Sequence, residues 1–113
     1  MDVKRDQDSD ITILSVTGRV DSSNAKGFEG KVLPELEGEQ IGLIIDFSSL
    51  EYISSAGLRV ILMAAKTAQK AQLSFAICAL NEEITELFSI TGFDSIINIE
   101  GTREAAISTA RAG

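Results

Sequence analysis

The segment from 44 to 62, IIDFSSLEYISSAGLRVIL, constrains the fold more than any other part of this chain. It overlaps residues 41–47, which are almost wholly apolar, as is typical of a strand that helices cover on both faces. Ser48 and Ser49 predict the end of that strand. After a short link, apolar residues recur at the spacing of one helix face, namely at Leu58, Ile61, Leu62, Ala65 and Ala68. The segment therefore predicts a buried strand that leads into a helix over about 55–70.

A pair of serines stands where the predicted helix begins. Ser54 suits the N-cap position, because its hydroxyl can accept a hydrogen bond from a backbone N–H one turn in. Ser55 then lies in the first turn, where the helix dipole favours an anion by about 0.3–1 kcal/mol if exposed and by ~2 kcal/mol if partly buried. A phosphoserine carries about −1.5 to −2 charges, so this turn could hold one. Serines also cap helices routinely, so these residues alone leave both roles open.

Strand and helix patterns alternate along the rest of the chain. Residues 11–17, ITILSVT, predict a strand that pairs with a short one near 2–7, and Gly18 breaks the pattern. The later elements are predicted as a helix with Ala25, Phe28, Val32 and Leu36 on one face that Pro34 kinks or restarts, a buried strand at 73–80, a helix between Asn81 and Gly92, a strand at 95–99, and a last helix capped by Thr102. This order predicts an α/β fold with a single mixed, mostly parallel β-sheet of about four to five strands and helices packed on it.

Composition narrows the possible functions. The chain has 113 residues, enough for one core, and is predicted to be a single domain over 1–113. It has no histidine, the commonest general base and metal ligand, so we expect no metal, no cofactor and no enzyme activity. Its formal charge of −7 argues against nucleic-acid binding. No apolar run reaches the roughly eighteen residues of a membrane span, so we expect no membrane contact and a cytoplasmic location.

Three motifs extend the argument to a family. GRVDSSN at 18–24, the segment at 44–62, and LFSITGFDSIINI at 87–99 resemble successive signatures of the STAS domain, named for sulfate transporters and anti-sigma-factor antagonists. The resemblance spans nearly the whole chain and implies the STAS fold. Stand-alone domains of this size resemble the bacterial anti-sigma-factor antagonists (anti-anti-sigma factors), which regulate transcription by partner switching.

The resemblance also implies partners. In this family the unphosphorylated protein binds an anti-sigma factor serine kinase of the histidine-kinase-like ATPase fold, and the kinase then releases its sigma factor. Phosphorylation of a serine by the same kinase ends that binding. A separate metal-dependent serine phosphatase removes the phosphate. The resemblance therefore implies a phosphoprotein that works in signal transduction without catalysing a reaction itself.

The site residues follow from the same motifs. The family's acceptor is the serine two residues before a Gly-Leu pair, which here is Ser55 before Gly57. The preceding position is often aspartate in the family and is Ser54 here, so Ser54 is a second candidate. Asp21 of the GRVD motif is implied to lie near the acceptor, where it would orient the Ser55 hydroxyl or contact the kinase. It could instead turn the chain into the following helix.

We predict a partner-facing surface beside the serine pair. At about 100° per residue, Ala56, Val60, Met63 and Thr67 lie on one row opposite the predicted core face, where a solvated helix usually carries charges. Val60 and Met63 are therefore candidates for a partner-facing stripe, unless another element covers the row. Arg59 could pair with acids of a partner or with a phosphate on Ser55, or remain solvated. The neighbouring loop adds the polar residues Ser22, Ser23 and Asn24 to this surface.

Two other classes remain open at this stage. A phosphoaspartate receiver would use Asp46, which ends a predicted strand, but it also needs an acidic pair after its first strand and a lysine in a late loop. Asp21 has no acidic neighbour, and the segment after Leu80 has no lysine at that place. A STAS scaffold or small-ligand module that phosphorylation does not switch is the second class. An enzyme is least favoured, because no arrangement of base and nucleophile is visible.

Overall fold

The computed structural model describes residues 1–112, which form one layer of sheet between helices. In chain order the elements are β1 (Asp2–Asp8), β2 (Ile11–Val20), α1 (Ala25–Val32), a 3₁₀ turn (Leu33–Leu36), β3 (Gly42–Ile53), α2 (Ser55–Ala71), β4 (Ser74–Cys78), α3 (Glu82–Thr91), a second 3₁₀ turn (Phe93–Ser95), β5 (Asn98–Glu100) and α4 (Arg103–Ala112). The strands lie in the order β1-β2-β3-β4-β5, with β1 antiparallel to β2 and the others parallel. The predicted α/β fold with a mixed, mostly parallel sheet is confirmed.

The helix boundaries follow the local signals in the sequence. The Asn81 side-chain oxygen accepts a hydrogen bond from the Ile84 N–H at 2.8 Å, and Gly92 ends α3 in the left-handed region at φ 78°. The Thr102 hydroxyl accepts from the Ala105 N–H at 3.0 Å and caps α4. Pro34 lies in the 3₁₀ turn that follows α1, so the helix restarts there as predicted. These boundaries confirm the sequence-based prediction.

Strand β3 is longer than predicted. Ser48 and Ser49 do not end it, and it continues to Ile53 beside β2, which likewise continues past Gly18 to Val20. The pairing of β2 with β3 shifts register just after Asp46, where the Asp46 carboxylate accepts a hydrogen bond from the Ser48 N–H at 2.8 Å. A β-bulge of this kind lets a strand continue with polar, exposed residues after its buried part. The prediction failed because it treated the change in polarity as the end of the strand.

The two faces of the sheet have different coverings. The larger core lies against α1, α2 and α3, and its largest fully buried side chains include Phe28, Phe47 and Phe88. The smaller core lies against α4 and contains Ile11, Ile13, Ile44, Ala76, Cys78, Ala106 and Ala110. Because side chains alternate along a strand, β3 sends Ile45 to the first core and Ile44 to the second. This confirms that the strand is buried on both faces.

An ion pair joins α4 to the middle of the sheet. Arg103 donates to the Asp46 carboxylate at 3.0 Å and to the Ser15 hydroxyl at 2.8 Å. Burial of the Asp46 carboxyl raises its pKa, but hydrogen bonds from Ser48 and Arg103 outweigh that effect, and the pKa lies below its ordinary value. Cys78 lies in the same core, where burial raises the pKa of its thiol to about 11. It therefore acts as a small hydrophobic residue.

Candidate functional site

The ends of β2 and β3 meet the start of α2 at one edge of the sheet. Val20 pairs with Ile53 in the parallel ladder, and the Val20 carbonyl accepts a hydrogen bond from the Ser54 N–H at 2.8 Å. The loop after β2 therefore lies beside the first turn of α2. This confirms that the GRVDSSN segment and the serine pair are neighbours in space.

The two serines have different surroundings. Ser54 has an extended backbone, and its hydroxyl accepts a hydrogen bond from the Gly57 N–H at 3.4 Å, which makes it the N-cap of α2. Ser55 is the first residue of the helix and is exposed. Among the hydrogen bonds of residues 1–112, none involves the Ser55 hydroxyl. Ser54 thus caps the helix, while the hydroxyl of Ser55 takes no part in holding the fold.

Gly57 lets the helix approach the strands closely. A Cβ atom at this position would lie 2.6 Å from Ile53 Cγ1 and 2.8 Å from Val20 Cγ1. Real Cβ atoms do not approach other carbons so closely, so a larger residue would push α2 away from the sheet. Gly57 supports the site by packing, and it fixes the distance between the serine pair and the end of β2.

The loop of residues 21–24 is held by its own side chains. The Asp21 carboxylate accepts hydrogen bonds from the Ser23 hydroxyl at 2.6 Å and from the Ser23 N–H at 2.9 Å. These two bonds hold the pKa of Asp21 below its ordinary value. Asn24 accepts from the Asp21 N–H and donates to the Arg19 carbonyl, both at 2.9 Å. Asp21 therefore shapes this turn, as one of its two expected roles requires, and Ser22 and Ser23 are exposed.

One pair of side chains at this edge was missed by sequence reasoning. The Arg19 guanidinium lies over the Tyr52 ring, 4.4 Å from its centroid, and 41% of Tyr52 is exposed. The two residues face each other in the β2–β3 ladder. That pairing becomes visible only when β3 is continued past Ser49, so the early strand end in the prediction hid it.

The predicted stripe of Ala56, Val60, Met63 and Thr67 is wrong at Val60, which is not exposed. Val60 is only 3% exposed and belongs to the larger core, while Ala56 and Met63 are half-buried. Val60 packs in that core with Phe28 and Val32 of α1, so a neighbouring element covers it, which is the alternative that the sequence left open. The helix therefore turns a different row outward, which includes Ser55 and Arg59.

Comparison with known proteins identifies the family. The model of the STAS domain matches residues 2–106. This chain belongs to the STAS domain family. BtrV of Bordetella bronchiseptica is 35% identical to it over 94% of this chain and 91% of the relative. The anti-sigma-B factor antagonist of Listeria monocytogenes is 30% identical over 86% of this chain and 88% of the relative.

A solved structure supports the same assignment. A crystal structure of a protein from Thermotoga maritima superposes on this STAS domain with a TM-score of 0.90 and 26% identity, and the match covers 96% of this chain and 94% of the other. The relative from Listeria monocytogenes carries the name of an anti-sigma factor antagonist. The recognition of an anti-sigma-factor antagonist family from the sequence is thus confirmed.

The arrangement differs from a phosphoaspartate receiver. Asp46 lies within β3 rather than at its end, its side chain is only 8% exposed, and its Oδ2 lies 2.9 Å from Arg103 Nη2. Over residues 1–112, no three acidic or cysteine side chains are grouped so that they could hold a metal ion. In the same part of the chain, no helix is both long enough and apolar enough to span a bilayer. The candidate site of this STAS domain is the edge formed by the serine pair and the 21–24 loop.

Proposed function

We propose that this protein is an anti-sigma-factor antagonist that acts by partner switching in the cytoplasm. Its unphosphorylated form binds an anti-sigma factor serine kinase of the histidine-kinase-like ATPase fold, which releases the sigma factor. Phosphorylation of Ser55 abolishes that binding, and a metal-dependent serine phosphatase restores it. The proposal is supported by family membership together with the position of one hydroxyl group.

The observation that carries the proposal is the contrast between the two serines. Ser54 accepts a hydrogen bond from Gly57 and caps α2, whereas Ser55 is exposed in the first turn. That first turn has no acidic residue, so the positive end of the helix dipole is not yet compensated. A phosphate on Ser55 would meet this end of the dipole, which favours Ser55 over Ser54 as the acceptor.

Switching by this route requires no refolding. A shift from about 99:1 to 1:99 in a binding equilibrium needs about 5.5 kcal/mol. A phosphate of about two negative charges, placed against a closely packed partner surface, supplies several kcal/mol through repulsion and desolvation. Because Ser55 is exposed, the phosphate is added at the surface and leaves the core unchanged. The effect therefore falls on the interface rather than on the stability of the fold.

The phosphate must come from the partner. The chain contains no GxxxxGK[ST] loop and no glycine-rich nucleotide fingerprint, so we assign ATP binding to the kinase. On our proposal the kinase contacts the residues that surround Ser55 at this edge, namely Ser22, Ser23, Asn24, Ala56, Arg59 and Met63. Asp21 would act through the loop that it holds, and Gly57 through the position of the helix.

The proposal is tested with baits that differ at one residue. Wild-type protein, Ser55→Ala and Ser55→Asp are incubated with an extract of the source cells, and bound proteins and phosphopeptides are identified by mass spectrometry. We expect an ATPase of the histidine-kinase-like fold on the wild-type and alanine baits but not on the aspartate bait, and phosphate on Ser55. Ser89→Asp, which adds the same charge at an exposed position of α3, should bind like wild type. Equal recovery on all baits, without phosphate on Ser54 or Ser55, would favour the unswitched scaffold.

A further inference from the structure

Helix α2 is basic, although the chain as a whole is acidic. The sequence has 17 acidic and 10 basic residues, yet α2 contains no aspartate or glutamate and carries Arg59, Lys66 and Lys70. At about 100° per residue, these three cations lie within about 60° of Ser55 around the helix axis. All three are exposed, and the half-buried Leu62 and Met63 lie among them. We call this face the basic stripe, which consists of Ser55, Arg59, Leu62, Met63, Lys66 and Lys70.

Nothing on α2 neutralises the stripe. The positions three and four residues from Arg59 are Ser55, Ala56, Leu62 and Met63, none of which is acidic. Elsewhere Arg5 pairs with Glu35, Arg103 with Asp46 and Asp6, and Arg111 with Asp8 and Asp10. Over residues 1–112, Arg59, Lys66 and Lys70 form no salt bridge, as is also true of Lys4, Arg19, Lys26 and Lys31, but the three cations of α2 share one face of a helix that has no acid. The positive charge of α2 is therefore available to a partner.

We propose that the basic stripe docks on an acidic patch of the kinase partner, with Leu62 and Met63 as the apolar centre of the contact. This inference rests on the function proposed above. The rest of the molecule repels an acidic surface because its net charge is −7, so complementary charge selects this one face. Methionine adapts well to such a contact, because its side chain is flexible and polarizable.

A nucleic acid is a poorer match for the stripe. Binding to DNA through charge depends on the number of phosphates that Lys and Arg neutralise, and this face has three cations on a strongly acidic body. A row of three cations spread over about 17 Å, at 1.5 Å per residue from Arg59 to Lys70, suits a few carboxylates on a folded protein.

The stripe also explains why a single phosphate would have a large effect. Ser55 and Arg59 are four residues apart, so their side chains are neighbours on the helix surface. A phosphate on Ser55 would add about −1.5 to −2 charges at one end of the stripe and would pair with Arg59. The partner would lose one cation and meet a new negative charge at the same place. Phosphorylation would thus reverse the sign of the charge where docking begins.

The test measures binding of the purified kinase to charge-reversal variants by titration calorimetry at about 50 mM and about 300 mM salt. Arg59→Glu and Lys66→Glu should each weaken binding about 10-fold at low salt and about 2–3-fold at high salt, because screening shortens the range of the interaction. Lys4→Glu, on the exposed face of β1, makes the same change in net charge and should bind within about 2-fold of wild type. Thermal melts of the free variants show whether they remain folded.

The outcomes separate this inference from the proposed function. If phosphorylation of Ser55 ends binding while Arg59→Glu and Lys66→Glu bind like wild type, the docking surface is overturned and partner switching stands. If the wild-type protein does not bind the kinase, both proposals fail. Fluorescence anisotropy with a DNA duplex of about 20 base pairs provides the third outcome. Binding that both glutamate variants abolish would assign the stripe to nucleic acid and overturn the protein partner.

Discussion

Two junctions at the same edge of the sheet are built alike and differ in charge. At the first, β3 leads into α2 through Ser54; at the second, β4 leads into α3 through Asn81, and both side chains cap their helix. Glu82 and Glu83 follow the second cap and complement the helix dipole, whereas the first turn of α2 has no acid. At the second junction the helix dipole is thus already compensated. The first leaves the positive end of its helix dipole uncompensated, which supports the phosphorylation proposed above.

The junctions also differ in how they are anchored. Asn81 accepts from Ile84 at 2.8 Å and donates to the Leu50 carbonyl at 3.2 Å, so it ties α3 to the extended part of β3. Ser54 accepts from Gly57 at 3.4 Å, a longer bond, and α2 is held there mainly by the close packing of Gly57. One junction therefore depends on hydrogen bonds from its cap, and the other on the absence of a side chain.

The largest expected effect tests that packing. Gly57→Ala should destabilise the protein by about 2–3 kcal/mol, because the new Cβ would meet Ile53 and Val20 at less than 3 Å. Gly27→Ala is the matched control, since nothing lies within 4 Å of a Cβ there, and it should stabilise α1 by about 0.5–1 kcal/mol. Urea unfolding of both variants measures the difference. If the two variants had equal stability, α2 could move away from the sheet without loss of stability.

The next effect concerns the bulge that carries β3 to the first junction. Asp46→Asn should cost about 1.5–2 kcal/mol at neutral pH, because the hydrogen bonds from Arg103 and Ser48 lose a charged acceptor. The pKa of Asp46 is lowered in the folded protein, so this stabilisation is complete above its ordinary value of 3.8 and is lost as pH falls through the lower, folded value.

Hydrogen exchange below pH 3.8 compares the two junctions directly. Protection of the Ser48 amide should fall relative to that of Ile84, because Ser48 donates to a carboxylate and Ile84 donates to the uncharged Asn81 amide. If both amides of the wild-type protein lost protection in parallel, this would contradict a local role for Asp46. In the Asp46→Asn variant, the difference in protection between the two amides should no longer depend on pH.

The caps give an intermediate effect and test the difference in anchoring. Asn81→Ala should cost about 1.5–2 kcal/mol, because it removes the cap of α3 and the bond to Leu50. Ser54→Ala should cost about 0.5–1 kcal/mol, because the bond that it removes is longer. Chemical denaturation of both variants measures the order, and a larger loss for Ser54→Ala would reverse our ranking of the two junctions.

The smallest expected effect concerns the missing charge in the first turn of α2. Ser55→Asp should stabilise the free protein by about 0.3–1 kcal/mol through the helix dipole, and Glu82→Gln should destabilise it by a similar amount at α3. Both changes should shrink at high salt. A destabilising Ser55→Asp would mean that the first turn does not accept a negative charge, which would weaken the case for a phosphate there.

Much of the fold followed from local patterns. The apolar run at 41–47, the serine pair, Asn81, Gly92 and Thr102 predicted the strands, caps and helix ends, because each signal depends on the residue's own backbone and its immediate neighbours. The continuation of β3 to Ile53 did not follow in this way. Its exposed serines resemble a loop, and only pairing with β2 makes that segment a strand.

In the candidate site, too, local sequence signals predicted some features and tertiary contacts decided the others. The sequence by itself determined that Ser55 opens an α-helix after a buried strand, because capping and amphipathic spacing are local properties. Only the tertiary structure decided that Asp21 bonds Ser23, that Gly57 is a packing requirement, and that Val60 is buried while Arg59 is exposed. A helix wheel gives the angle between residues, but the neighbouring element that covers Val60, here α1, is set by contacts between distant parts of the chain.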